Sequence, residues 1–393
     1  MTTPAQKLLV SKDQENALSA LIAWFEKERL TRQFITLGGY AGTGKTTLIS
    51  ILRNTLHEKN PKLKVGFASY TGKAARVLQT KIKESESFYP QDTIGTIHSL
   101  IYTPVINERE EITGWKKKEK IDRELIIIDE ASMVDSTIWN HLVSYKIPMI
   151  VVGDHGQLPP IAGNFNLMQK PNLLLEQIHR QSAGDPIIDL SIAARTKGVI
   201  DVGRYSQYVI KHAKEDTEAG DFLTELLTNY TSETLVLCGY NNTRRRLNRF
   251  IRTALGFEDP EPSAGDRVIC LRNNHQHQIF NGMLGTIMTI ESKDIMWYEA
   301  DIRMDGEDKN YSGLLYKPQF DALTPFNFTE NRKETSIGDL FDFGYALTVH
   351  KAQGSQAKRV VLFEERFKKM TESDWKRWLY TAVTRATDEL YIF

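Results

Sequence analysis

The first third of the chain alternates short apolar runs with longer stretches of helical periodicity. Apolar residues at i, i+3, i+4 and i+7 positions predict an amphipathic helix over residues 14–29. Four apolar runs of strand length follow this helix, at residues 34–37, 65–68, 125–128 and 149–152. Strands that alternate with helices are typical of a parallel α/β sheet, so the pattern predicts a first α/β lobe over residues 1–185.

The same alternation returns in the second half of the chain and predicts a second α/β lobe over residues 186–393. Three strand-length apolar runs recur there, at residues 234–238, 359–363 and 390–393. Residues 264–340 interrupt them with short β patterns, turn glycines and few helical signals, which predicts a small β-barrel carried within this lobe. In the first lobe, residues 99–121 break the pattern in a similar way and predict an inserted β-hairpin.

Composition indicates the class of protein and the partners that it allows. Of the 393 residues, 41% are hydrophobic and 25% are charged, which is typical of a soluble protein of two or three domains. Cys238 and Cys270 are too few for a disulfide framework and predict core thiols in a reducing cytoplasm. Neither a membrane span nor a signal peptide is expected, because the longest apolar runs are strand-sized. The 50 basic and 50 acidic residues cancel, so a nucleic-acid contact would need a local basic stripe.

The segment from Gly39 to Thr46 matches the phosphate-loop pattern Gly-x-x-x-x-Gly-Lys-Ser/Thr, between a predicted strand and a predicted helix. Glycines let backbone N–H groups turn around a phosphate at a helix N-terminus, whose dipole also favours an anion. We expect a nucleoside triphosphate there, with Lys45 at its β- and γ-phosphates and Thr46 on Mg²⁺. A plain glycine turn before a lysine is the alternative. The expected nucleotide-contacting residues of the loop are Gly39, Gly42, Thr43, Gly44, Lys45, Thr46 and Thr47.

Two carboxylates follow the apolar run at residues 125–128. Open α/β sheets bind their ligands at the C-terminal ends of strands, which is where Asp129 and Glu130 lie. Asp129 is suited to hold Mg²⁺ through water, and Glu130 is suited to take a proton from an attacking water. A kinase has no need of a water-activating base, so the pair favours hydrolysis. An acidic cap on the next helix is the alternative.

Further segments follow in a recognisable order, at residues 152–160, 175–180 and 380–386. With the phosphate loop and the acidic pair, they resemble the motifs of superfamily 1 DNA helicases of the 5′-to-3′ branch, in particular RecD-like and phage Dda-like helicases. The resemblance implies two RecA-like P-loop NTPase lobes, with a β-hairpin inserted in the first and a small SH3-like β-barrel in the second. It also implies ATP and Mg²⁺ as cofactors.

The resemblance further assigns roles around the nucleotide. It implies that Gln14 reads the adenine, that Gln157 senses the γ-phosphate and that Gly354 lies at the nucleotide. Arg180 and Arg385 match the two arginine fingers, whose guanidinium groups would stabilise charge on the transferring phosphoryl group. Without the family, a glutamine or arginine at such a position is more often an ordinary surface residue.

Small polar residues that follow predicted strands suit contacts to phosphate and sugar. In the family, the matching positions line a channel for single-stranded DNA, and the expected contacts here are Thr71, Gly72, Lys73, His98, Asn242, Thr348 and His350. Helix caps for the threonines and a buried histidine at His98 are the alternatives. Tyr70 departs from the proline that is usual in RecD-like proteins, and its ring would either stack on a base or pack.

Two charged segments also bear on how DNA would be contacted. The arginines at positions 244, 245, 246, 249 and 252 predict either a basic helix face near the strand or a solvated charge run. The hairpin tip, residues 105–112, corresponds to a duplex-splitting pin in the Dda-like enzymes. It is acidic and has no aromatic residue, so a pin here would act sterically rather than by stacking.

The sequence therefore predicts a monomeric, cytoplasmic motor of a bacterial or phage-infected cell. It would couple ATP hydrolysis to 5′-to-3′ movement on single-stranded DNA and unwind a DNA fork, with a single-strand-binding protein as a candidate partner. The direction comes from the resemblance alone. A translocase that does not unwind, a nucleotide-dependent DNA-binding switch and an RNA helicase are the alternatives.

Overall fold

Within the residues that it describes, the computed structural model contains two sheets of mainly parallel strands and two smaller antiparallel sheets. None of the helices in the described part of the chain has the length and hydrophobicity needed to cross a bilayer. The structure describes residues 11–106, 112–160, 165–177, 184–213, 215–274, 277, 279–307, 310–326 and 337–393.

The first lobe is built on a six-stranded sheet in the order β3-β2-β6-β7-β1-β8, with all of its strands parallel. Its strands are β1 (Phe34–Gly39), β2 (Val65–Ser69), β3 (Thr93–Thr96), β6 (Leu125–Asp129), β7 (Met149–Gly153) and β8 (Leu173–Leu175). Its helices are α1 (Lys12–Ala23), α2 (Lys45–Lys59), α3 (Gly72–Glu84), α4 (Ile97–Ile101) and α5 (Ser136–Val143), with a π-helix at Trp24–Glu28 and a 3₁₀ turn at Ala131–Met133. Apolar clusters pack on both faces, which explains why the strands read as continuous apolar runs.

The second lobe has a six-stranded sheet in the order β17-β11-β18-β19-β10-β9, parallel except for the β10–β9 pair. Its strands are β9 (Gly203–Arg204), β10 (Val209–Lys211), β11 (Thr234–Cys238), β17 (Ala346–Thr348), β18 (Ala357–Leu362) and β19 (Ala386–Ile392). Its helices are α6 (Pro186–Thr196), α7 (Thr217–Thr228), α8 (Asn241–Ala254) and α9 (Glu372–Val383). The predicted α/β class with parallel central sheets is confirmed.

The remaining strands form the two antiparallel sheets. One has two strands, β4 (Tyr102–Ile106) and β5 (Ile112–Lys117), and residues 107–111 of the predicted pin tip lie outside the described residues. The other has five strands in the order β15-β14-β13-β12-β16 and its own apolar core. Its strands are β12 (Arg267–Cys270), β13 (Leu284–Ser292), β14 (Trp297–Met304), β15 (Tyr311–Tyr316) and β16 (Phe341–Phe343), with a 3₁₀ turn at Lys317–Gln319. The domain boundaries, the pin and the SH3-like closure stay predictions.

The arginines of α8 join the second lobe to the five-stranded sheet. Four ion pairs make this contact: Arg244 with Asp342, Arg245 and Arg249 with Asp321, and Arg252 with Asp266. Arg244 and Arg252 are buried. For these two residues both sequence interpretations are wrong, because their guanidinium groups are largely buried against Asp342 of β16 and Asp266, which directly precedes β12.

A buried ion pair anchors α2, the helix that follows the phosphate loop. Arg53 donates from Nε and Nη2 to the two carboxylate oxygens of Asp92, at 2.9 and 3.0 Å, and both side chains are fully buried. Asp92 also accepts from the backbone N–H groups of Val65 and Tyr89, and the Tyr89 ring lies 4.4 Å from the guanidinium carbon. The pair therefore ties α2 to the start of β2 and to the turn before β3.

We predict that Arg53→Met lowers the free energy of unfolding by about 3–5 kcal/mol, because it leaves the Asp92 carboxylate buried without its charge partner. The measurement is urea unfolding followed by circular dichroism. Lys59→Met on the same helix is the control, since Lys59 pairs with Glu26 at the exposed surface and its loss should change stability far less. Equal midpoints for the two variants would contradict the anchoring role of Arg53.

Candidate functional site

The phosphate loop connects β1 to α2 in a conformation that requires glycine. Gly42 and Gly44 have φ values of 80° and 74°, and Gly44 is the N-cap of α2. A Cβ on Gly44 would lie 2.4 Å from Gln14 Nε2, so a side chain there would collide as well as strain the backbone. Lys45 Nζ donates to the carbonyl oxygens of Gly39 at 2.7 Å and Tyr40 at 2.9 Å, and it therefore lies over its own loop.

Gln14 supports this loop from the preceding helix. Its backbone and side chain complete a capping box with Ser11 at the start of α1, and its Nε2 donates to the Thr43 carbonyl oxygen at 3.0 Å. Thr43 Oγ1 donates in turn to the Tyr40 carbonyl oxygen at 2.9 Å, and a Cβ on Gly39 would lie 2.6 Å from that hydroxyl oxygen. The loop conformation is thus supported by a hydrogen bond from Gln14 of α1 and by the close contact between Gly39 and Thr43.

The acidic pair lies at the C-terminal end of β6. Asp129 Oδ1 accepts from the Glu130 backbone N–H at 2.9 Å, and Glu130 adopts a left-handed backbone with φ 55°. Burial raises the pKa of both carboxyl groups, and the neighbouring Asp129 raises that of Glu130 further. Within the described residues, Glu130 Oε2 is buried and has no hydrogen-bond partner. A buried carboxylate oxygen with free lone pairs fits a water or a hydrated Mg²⁺ as its ligand.

A cavity of about 1020 Å³ opens beside the loop, and the second lobe contributes Gly354, Gln356 and Arg385 to its wall. It brings together ten residues that the sequence singled out for the nucleotide site: Gly42, Gly44, Lys45, Thr46, Thr47, Asp129, Glu130, Gln157, Gly354 and Arg385. The cavity therefore combines phosphate-binding loop, acidic pair and an arginine from the opposite lobe, and its residues fit a nucleotide with Mg²⁺.

The structure describes two of the three residues that were expected to act on the γ-phosphate, Arg385 and Gln157. Arg385 is buried and donates to the carbonyl oxygens of Thr381 and Ser355, at 2.9 and 3.0 Å. Burial lowers the pKa of its guanidinium group. Gln157 Nε2 donates to Asp154 Oδ2 at 3.2 Å, and its Oε1 is a buried oxygen without a partner in the described part of the chain. Arg180 lies outside the described residues.

A second cavity of about 240 Å³ lies between the lobes, and four of the predicted contacts to single-stranded DNA line it. Thr71, Lys73 and His98 line it from the first lobe, and His350 lines it from the second. Thr71 also caps α3 by accepting from the Ala74 N–H at 3.2 Å, so the cap that the sequence offered as an alternative is real. Burial lowers the pKa of both His98 and His350, which favours neutral imidazoles that donate a hydrogen bond without charge.

The other predicted contacts to single-stranded DNA lie at the edge of this cavity or away from it. Gly72 packs against Phe280 from the segment between β12 and β13, and a Cβ on Gly72 would lie 2.9 Å from that ring. Asn242, in the first turn of α8, and Thr348, at the end of β17, do not line it. Tyr70 lines it with its ring edge-on to His98, their centroids 6.5 Å apart.

Several lining residues were not singled out from the sequence. Lys351, Phe280 and Asn281 line the second cavity, and Lys351 Nζ donates to Asn281 Oδ1 at 2.8 Å. The only local signal was that Lys351 follows His350. Lys73 lines both cavities, and its Nζ donates to the Gln356 carbonyl oxygen of the second lobe at 3.5 Å. The two cavities therefore share a wall.

Comparison with known proteins adds family matches to this geometry. Residues 24–163 match the family model of an AAA domain, and residues 343–393 match that of a UvrD-like helicase C-terminal domain. The chain is 26% identical over 384 residues to the ATP-dependent RecD2 DNA helicase of Deinococcus radiodurans, covering 91% of this chain and 46% of that protein. It is 24% identical over 434 residues to the RecBCD enzyme subunit RecD of Buchnera aphidicola, covering 93% and 71%. The chain thus spans about half the length of the RecD2 protein.

Solved structures share the fold. The Bacteroides Pif1 structure bound to single-stranded DNA superposes with a TM-score of 0.55 and 18% sequence identity, covering 98% of this chain and 92% of that one. A second Pif1 structure, from a study of unwinding at forked duplex DNA, has the same TM-score at 19% identity. At this identity the likeness concerns the fold, which extends over nearly the whole chain.

The buried acidic pair predicts a stabilising substitution. Glu130→Gln removes an unpartnered charge next to Asp129, and we expect it to stabilise the nucleotide-free protein by on the order of 1 kcal/mol near neutral pH. Because the folded-state pKa of Glu130 is raised, its contribution to stability is fully present below the unfolded pKa and is lost as pH rises through the folded pKa. The advantage of the glutamine variant should therefore grow with pH in thermal unfolding.

Glu365→Gln is the matched control. Glu365 accepts from the backbone N–H groups of Gly239 and Tyr240 and from Thr243 Oγ1, so its charge is satisfied and its loss should destabilise the protein. A Glu130→Gln protein that is less stable than the wild type across the whole pH range would contradict the conclusion that burial of the Glu130 carboxylate lowers stability.

Proposed function

We propose that the chain is an ATP-dependent DNA helicase that moves 5′ to 3′ on single-stranded DNA, as its matches to the AAA-domain and UvrD-like C-terminal models and its similarity to RecD2 and RecD support. One observation carries the proposal. The phosphate-loop cavity and the second cavity both lie between the same two lobes and share Lys73 in their walls. A change in lobe spacing at one cavity must therefore change the other.

On the nucleotide side, Lys45, Thr46 and Asp129 would hold ATP with Mg²⁺, in the loop formed by Gly39, Gly42, Thr43, Gly44 and Thr47. When bound, the nucleotide supplies the phosphoryl group whose hydrolysis drives the cycle. Glu130 would accept a proton from the attacking water, a role that its raised pKa and unpartnered oxygen suit. Gln14 would contact the adenine.

Closure of the lobes would complete this site. Gln157 belongs to the first lobe, whereas Gly354 and Arg385 belong to the second, and all three already line the same cavity. The guanidinium groups of Arg385 and Arg180 would stabilise charge on the phosphoryl oxygens in the transition state. Because Arg385 comes from the lobe opposite the phosphate loop, hydrolysis would require the closed arrangement, and release of the products would reopen it.

On the DNA side, seven residues would contact the sugar–phosphate backbone: Thr71, Gly72, Lys73, His98, Asn242, Thr348 and His350. Hydroxyl, amide and imidazole groups donate to phosphate oxygens without reading bases, which suits a motor that moves on any sequence. The β4–β5 ladder would act as the pin that separates the duplex. A forked DNA is thus the proposed substrate, a single-strand-binding protein a candidate partner, and the cytoplasm the proposed location of a monomer.

The first test is ATP hydrolysis with and without single-stranded DNA, with RNA of the same sequence in parallel. We expect strong stimulation by DNA, and Lys45→Ala should lower turnover by about 100-fold or more while single-strand binding persists. Glu130→Gln should bind ATP and DNA but hydrolyse slowly. DNA-independent hydrolysis would favour the nucleotide-dependent switch, and equal stimulation by RNA would favour an RNA helicase.

The second test separates unwinding from translocation. Residues 107–111 are replaced by a two-residue Asn-Gly turn, which directly joins residues 106 and 112, the last pair of the β4–β5 ladder. We expect duplex unwinding of a 5′-tailed fork to fall strongly, while DNA-stimulated hydrolysis stays near that of the wild type. If the wild type strips a bound protein from single-stranded DNA but never separates the fork, the chain is a translocase that does not unwind.

A further inference from the structure

A tyrosine hydroxyl of the second lobe lies between two functional segments of the first. Tyr380, on α9, is fully buried. Its Oη accepts from the Ala41 backbone N–H of the phosphate loop at 2.8 Å and donates to Asp154 Oδ2 at 2.7 Å. A single side chain of one lobe thus contacts both the loop and the segment after β7 in the other. Tyr380 was not singled out from the sequence, although it lies five residues before Arg385 on the chain.

The Asp154 carboxylate that accepts from Tyr380 also holds Gln157. Gln157 Nε2 donates to the same Oδ2 oxygen at 3.2 Å, and the Gly156 N–H donates to Oδ1 at 2.9 Å. Asp154 is almost fully buried, at 1% exposure, so it has no solvent partner to replace either donor. The position of the Gln157 side chain in the nucleotide cavity therefore depends on a carboxylate that Tyr380 helps to fix.

The polarity of this hydrogen-bond chain is settled by its members. An N–H group can only donate and an ionised carboxylate can only accept, so the Tyr380 hydroxyl must accept from Ala41 and donate to Asp154. Burial raises the pKa of Tyr380 well above its usual value, which keeps the proton on the hydroxyl. Hydrogen bonds to a buried charge are among the stronger ones in proteins, and they are lost when their geometry is lost.

The next residue of α9, Thr381, also contacts the first lobe. The Leu158 backbone N–H donates to Thr381 Oγ1 at 3.0 Å, so the segment containing Asp154 and Gln157 is held by two consecutive residues of α9. The Tyr380 ring also lies edge-on to Tyr40 of the phosphate loop, their centroids 5.9 Å apart. Displacement of α9 relative to the first lobe would therefore disturb the loop and the Gln157 segment together.

We propose that Tyr380 is a positioning residue for hydrolysis: its hydroxyl links the closure of the second lobe to the orientation of Gln157 at the nucleotide. This inference rests on the proposed function, because it assumes that the cavity binds and hydrolyses ATP. Tyr380 does not itself contact the reacting atoms; it acts through Asp154.

The test compares Tyr380→Phe with Tyr345→Phe. Tyr345 is a matched control, since it is also a buried tyrosine whose hydroxyl donates to a buried aspartate, Asp266, at 2.8 Å, but it lies away from both cavities. We expect Tyr380→Phe to lower kcat of the DNA-stimulated ATPase by about 10-fold or more, with KM changed far less. Tyr345→Phe should lower the melting temperature without this loss of kcat.

A double-mutant cycle identifies the route. If Tyr380 acts through Gln157, then Tyr380→Phe should have little further effect on kcat in a Gln157→Ala background, so the two losses are not additive. Equal fold-losses in both backgrounds, or an unchanged kcat in Tyr380→Phe alone, would overturn the inference. A wild-type protein that does not hydrolyse ATP would instead refute the proposed function, and the two failures are therefore distinguishable.

Discussion

The common direction of the strands in the first sheet is the constraint on which both cavities depend. β1, β2, β3, β6 and β7 run parallel, so their C-terminal ends meet at one edge. The phosphate loop follows the first of these ends, and Thr71, His98, the Asp129–Glu130 pair and Gln157 follow or complete the others. An antiparallel strand would have carried its polar residues to the opposite edge, away from the second lobe.

Buried charge is treated in two different ways in this molecule. Where it is structural, it is paired: Arg53 with Asp92 in the first lobe, and Arg252 with Asp266 where α8 meets the five-stranded sheet. At the candidate active site, Glu130 keeps an unpartnered oxygen beside a like charge, which costs stability. A buried carboxylate with a free oxygen at a cavity wall is characteristic of a functional site, where binding or proton transfer requires a free group.

In the described part of the chain, several contacts between the lobes lie beside the two cavities. Lys73 reaches the Gln356 carbonyl oxygen, and a Cβ on Gly354 would lie 3.3 Å from Thr71 Oγ1. At the phosphate loop, the Tyr380 hydroxyl accepts a hydrogen bond from the Ala41 N–H. Since a hydrogen bond is lost with a displacement of about 1 Å, such contacts make lobe position and site geometry interdependent. That interdependence is the physical requirement for coupling hydrolysis to movement.

Four features could be identified from the sequence alone: the strand-length apolar runs, the phosphate loop, the acidic pair and the helicase resemblance, which the AAA-domain and UvrD-like matches confirm. These features are readable because periodicity, glycine backbone requirements and motif spacing depend on residues close together in the chain. The folded structure was needed to show that Arg244 and Arg252 bind carboxylates rather than DNA, and that the Tyr380 hydroxyl bonds to the Ala41 N–H, 339 positions away in the chain. Such pairings depend on distance and burial in the folded chain, and no local pattern encodes them.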